Sequence, residues 1–70
     1  MNAEAIREWI DRRPFQPFAV RLAGGEIHTV RHPETVILMR STLAIAYPES
    51  DRVAICSLPL ITSIETPRPT

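Results

Sequence analysis

Seventy residues hold one domain whose core alone supplies roughly 3–5 kcal/mol at best. Eight basic and eight acidic residues give a formal charge of zero, which argues against a strongly basic nucleic-acid binder; all eight cations are arginines, scattered along the chain. One cysteine excludes an internal disulfide, and with two histidines it makes a poor metal inventory, so no cofactor or metal is expected and self-association is the remaining source of extra stability.

The first segment, MNAEAIREWIDRR, reads as a helix over about residues 3–12. Asn2 is its expected N-cap, because its side chain can accept from a free amide of the first turn. Ile6, Trp9 and Ile10 form one apolar stripe, and Glu4, Arg7, Glu8, Asp11 and Arg12 lie opposite. Pro14 disfavours helix at Arg13 and ends the element. PFQPF then reads as a rigid connector, anchored to the core by Phe15 and Phe18.

FAVRLAGGEIHTVR alternates on both sides of Gly24-Gly25 and reads as a hairpin. A two-residue loop at the glycines pairs Leu22 with Ile27 and Val20 with Thr29. Phe18, Val20, Leu22 and Ile27 are then expected inside, with Arg21, Glu26 and His28 outside. TVILM resumes as strand after Pro33, and the chain turns at 40–42. LAIAY puts Leu43, Ile45 and Tyr47 on one face and Ala44 and Ala46 on the other. PESD is a loop, RVAICSL at 52–58 a strand broken by Pro59, and LITSIE the last strand; residues 66–70 are expected to be a disordered tail.

One helix and about five short, evenly spaced strands predict a mainly β fold: a small five-stranded antiparallel barrel over residues 1–65, with closure removing exposed edges. No apolar run approaches the roughly 20 residues of a membrane span, and the N-terminus lacks a signal-peptide core, so the chain reads as cytoplasmic. Cys56, in the apolar run VAIC, reads as a buried, reduced thiol.

The helix followed by VRLAGGEIHTV and VAICSLPLITSI resembles the Sm-like fold of bacterial Hfq and the eukaryotic LSm proteins, one of the SH3-like small barrels. The first stretch resembles that family's opening hairpin and the second its closing strand, tight turn and last strand. The resemblance implies a small barrel able to assemble into rings. HPET stands where the family has a Phe-Asp pair, and SLPL replaces its last-turn RNA-contacting motif, so no RNA-binding residues carry over. RRPFQPFAVRLAGGE with VRHPETV also resembles a group of small bacterial proteins with PFxPF and His-Pro-Glu segments, which brings no chemistry with it.

His32, Pro33 and Glu34 raise the question of a reactive site. On an extended strand His28 and His32 would lie roughly 13 Å apart, too far to share a metal. An acid–base pair needs a pocket, which a filled barrel of this size does not offer, so no catalysis is expected. The triplet reads as a structural corner: Pro33 at a bulge that bends the strand, with His32 and Glu34 tying the bend to the backbone. Val36, Ile37, Leu38 and Met39 form an unbroken apolar run, and Ala44 and Ala46 stand where a solvent face would be polar. These six predict an interface with a second copy or another protein. The first expectation is therefore a self-associating interaction module. RNA is the second, through Arg21, Arg31 and Arg40 with His32 and Tyr47 as stacking groups.

Overall fold

Asn2 opens helix α1 (Ala3–Asp11), its side-chain oxygen accepting the Ala5 amide at 2.9 Å. Such a cap satisfies one of the orphan donors of the first turn. Ile6 and Ile10 are buried, and Trp9 packs beside them with its ring 5.7 Å from that of Phe18. The Arg12 guanidinium lies over the Trp9 ring at 3.8 Å. At the other end Arg13 Nη1 donates to the Ile10 and Arg12 carbonyls, at 2.9 and 2.7 Å, and satisfies acceptors the last turn leaves open. Phe15 then stacks at a tilt on Phe18, 6.0 Å away, so PFQPF is a packed connector.

In the computed structural model, which describes residues 1–66, two three-stranded antiparallel sheets follow the helix. The first has the order β2-β1-β6, from β1 (Phe18–Leu22), β2 (Ile27–Val30) and β6 (Ile61–Glu65). The second has the order β3-β4-β5, from β3 (Val36–Leu38), β4 (Thr42–Tyr47) and β5 (Arg52–Ser57). Of the expected tail, the residues beyond Thr66 lie outside those described. The core lies between the sheets and under the helix. Phe18, Val20 and Val30 come from the first sheet, Leu43, Ile45 and Cys56 from the second, and Ile6, Ile10, Leu58 and Ile61 complete it.

Six strands appear where about five were expected. The difference is the segment around Pro33. Instead of a β-bulge within one bent strand, Pro33–Thr35 forms a 3-10 turn, and the chain passes there from the first sheet to the second. Two more 3-10 turns, Pro48–Ser50 and Leu58–Leu60, also carry a proline in their opening positions. The reason is shared: the pyrrolidine ring holds φ near a helical value, and its missing N–H costs nothing where a turn begins.

The first hairpin departs from expectation by one residue. The Leu22 amide donates to Glu26 O at 2.8 Å and the Gly25 amide to Leu22 O at 2.9 Å, so the loop is Ala23–Gly25, three residues long. A primed two-residue turn requires positive φ at Gly24, and type I′ at Gly25 as well, but only Gly25 has it, at 91°. The resulting register pairs Arg21 with Ile27, Val20 with His28, and Phe18 with Val30. A slip of one residue turns every β2 side chain to the opposite face. Val30 is therefore buried, His28 is half-buried, and Ile27, expected inside, is 49% exposed.

Candidate interaction surfaces

The second sheet presents an apolar outer face. Its register sets Ile37 opposite Ala44, Ala44 opposite Ile55, and Ala46 opposite Val53. Side chains directly opposite one another share a face, so these five form one patch. Ile37 and Ile55 are each 65% exposed and Val53 is 61% exposed, while the two alanines lie half-buried between them. Thr42 and Ser57, paired at one end, continue the same face. Among the described residues no strand position on this face holds a charged side chain, while Glu26 and Arg52 border it beside Val53 and Ile55, and Arg31 and Glu49 beside Ala46.

Of the six residues expected at an interface, Ile37, Ala44 and Ala46 lie on this face. Val36 and Leu38 do not. They pair with Ile45 and Leu43, turn inward and pack against the core. Alternation along β3 splits a run that reads as uniformly apolar. Met39, just past the strand and exposed, lines a shallow depression with Ala3, Glu4, Arg7, Leu38 and Arg40. Val53 and Ile55 escaped the sequence reading. The signal was present, because RVAIC is apolar at both parities, as LAIAY is.

A second feature is a cleft of about 260 Å³ beside the corner. Ile27, Thr29, Arg31, His32 and Thr35 line one side, and Ala46, Tyr47, Pro48 and Glu49 the other. Arg31, His32 and Tyr47 are thus brought together. Arg21 and Arg40 are not. Arg21 lies on the outside of the first sheet, where its Nε donates to Glu65 Oε2 at 2.8 Å. The hydrogen bond and charge of Arg21 hold the Glu65 carboxyl below its ordinary value, and Glu65 in turn raises Arg21. Arg40 stands in the β3–β4 turn, on the side of the helix.

The ties at the corner come from Thr35, rather than from the expected His32 and Glu34 side chains. Its Oγ1 donates to the His32 carbonyl at 2.7 Å and its amide to the same oxygen at 3.1 Å. The 3-10 geometry explains the substitution: it brings the third residue of the turn, and no other side chain, back over the carbonyl that precedes Pro33.

At the open end between the sheets, Tyr47 Oη and His28 Nδ1 are 3.0 Å apart, and His28 Nε2 lies 4.0 Å from Glu26 Oε2. Burial raises the Tyr47 phenol above its ordinary value, Cys56 adds to that, and the Thr29 backbone amide offsets part of it. Burial likewise pushes the Cys56 thiol up, with Glu26 contributing. A thiol held in its neutral form is a poor nucleophile. Among the described residues no three metal-ligating side chains converge, and no helix is long and apolar enough to cross a membrane. No protein-family model, curated protein or solved structure matches the chain.

Proposed function

We propose that this protein is a non-catalytic interaction module that associates with a second copy of itself through the outer face of β3–β4–β5. One observation carries the reading: three large aliphatic side chains, each more than 60% exposed, share an uncharged sheet face. Single exposed aliphatics are ordinary, but a contiguous patch of them on a small neutral chain favours burial against a partner. The fold is read as a small SH3-like, Sm-like barrel in which β2 and β3, separated by the Pro33–Thr35 turn, stand in the place of one bent strand. Its support is the sheet order, with the corner joining β2 to β3 and the Leu58–Leu60 turn joining β5 to β6. A cytoplasmic setting accords with the free, buried thiol of Cys56.

Sedimentation equilibrium from low micromolar to millimolar concentration tests the association. The expected outcome is a reversible rise in mass that Ile55→Lys abolishes. A wild-type monomer throughout that range overturns the reading.

A second reading, an Sm-like RNA-binding assembly, is favoured by the convergence of Arg31, His32 and Tyr47 on one cleft. A guanidinium and two rings can serve phosphate and base of one nucleotide. Titration with short U-rich and A-rich RNAs at low salt, where phosphate contacts are strongest, tests it: Arg31→Gln is expected to weaken any binding, and absence of binding removes the reading.

A further inference from the structure

Among the described residues β2, β6, β3 and β5 each pair with one neighbour, so each has a free margin. Three of these margins are blunted. β3 is three residues long. The register of β6 slips beside Arg21 and Leu22. On β2 the Thr29 amide is engaged by Tyr47. Devices of this kind keep an open edge from recruiting another chain. β5 has none of them: it runs six residues in continuous register, with no proline and with one charged residue, Arg52 at its start. A hollow of about 560 Å³ separates it from Leu22, Glu26 and His28 of the first hairpin.

The Leu58 amide donates to the Ser41 carbonyl, one step beyond the Thr42–Ser57 pair, and this fixes the phase of the ladder. Hydrogen-bonded pairs alternate in an antiparallel ladder. Arg52, Ala54 and Cys56 therefore turn their backbone groups to β4, and Val53, Ile55 and Ser57 turn theirs outward. The open backbone groups belong to the residues whose side chains lie on the apolar outer face.

These three residues are symmetric about Ile55, which makes the edge complementary to itself. A two-fold axis perpendicular to the sheet at Ile55 lays a second β5 antiparallel to the first. Ile55 then faces Ile55 of the second copy, Val53 faces Ser57 on either side, and every outward amide meets a carbonyl. An axis at Ala54 would set Ser57 against Asp51, whose φ of 56° takes it out of the strand. With the axis at Ile55 the two Arg52 residues fall at opposite ends of the join, roughly 20 Å apart, so like charges do not meet.

Resting on the self-association proposed above, we propose that β5 pairs antiparallel with β5 of a second copy about Ile55, at the margin of the apolar face. Two three-stranded sheets become one continuous sheet. Each copy has one β5, so assembly closes at the dimer.

Single cysteines test the pairing. Residues of a hydrogen-bonded pair have Cα atoms about 5.5 Å apart, within disulfide reach, whereas faces stacked about 10 Å apart lie beyond it. Under mild oxidation Ile55→Cys is expected to form a linked dimer about tenfold faster than Ile37→Cys, an equally exposed position on the same face. Val53→Cys and Ser57→Cys are expected to link to one another when mixed. Cys56 is buried, and wild type under the same oxidation sets the background. Sedimentation of wild type is expected to reach the mass of a dimer and stop there. If wild type associates but Ile55→Cys links no faster than Ile37→Cys, the edge pairing is overturned and the self-association reading stands. A mass beyond the dimer also overturns the edge pairing. If wild type is monomeric throughout, the self-association reading falls, and the pairing with it.

Discussion

Gly25 decides the register of the first hairpin. Its φ of 91° lies where L side chains rarely go, and a Cβ there would meet nothing within 4 Å, so any cost of substitution is conformational. Gly25→Ala is expected to lose about 1–2 kcal/mol in urea unfolding. Gly24→Ala, whose Cβ would stand 3.5 Å from Glu26 Oε1 in ordinary contact, is expected to be near neutral. The contrast also explains what the sequence concealed. Two adjacent glycines permit either loop length, and nothing in GG states which one takes positive φ. The face of every β2 residue hung on that choice, and so did the placing of Ile27 and His28. Cys56 and Tyr47 give a second residue-scale expectation. Both have pKa values raised in the fold, from ordinary values of 9.0 and 10.0. As pH rises through those values the unfolded chain loses protons first, so their contribution is complete below about pH 9 and is lost above it. Urea midpoints measured from pH 8 to 11 are expected to fall, and Cys56→Ala with Tyr47→Phe is expected to flatten the decline.

At the scale of elements, the helix was the most legible part of the chain. Its cap, its apolar stripe and its proline stop are local features, and local features can be read from sequence. Ile6 is fully buried under the sheets, so Ile6→Ala removes a keystone. The expected loss of about 2–5 kcal/mol matches the whole stability that a core of this size supplies, and the variant should be largely unfolded by circular dichroism at 25 °C. The prolines were legible as interruptions but not as 3-10 turns. A proline sets its own φ, whereas the hydrogen bond that closes each turn depends on where the next strand must go. The second sheet shows the same division. Strand positions in VILM and LAIAY could be read, but β3 is apolar at both parities, so sequence could not separate inward Val36 and Leu38 from outward Ile37. Pairing with β4 separates them, and pairing is a property of the sheet.

For the whole molecule, size and surface form one problem. Among the described residues a core of ten side chains leaves little margin, and the chain also leaves Ile37, Val53 and Ile55 in water. If association covers them, it binds the native state alone, and stability must then rise with protein concentration by mass action. The melting temperature of wild type is therefore expected to climb between about 10 µM and 1 mM, as for any native-state linkage. Ile55→Lys separates this effect from local folding. Ile55 is 65% exposed in the isolated chain, so its replacement should change monomer stability by no more than about 0.5 kcal/mol. Lysine on an edge strand is also a device that discourages pairing between sheets. Wild type and variant should melt alike when dilute and diverge when concentrated, with the variant's melting temperature independent of concentration. Parallel melting curves at every concentration would mean that the exposed face contributes nothing to the stability of this domain.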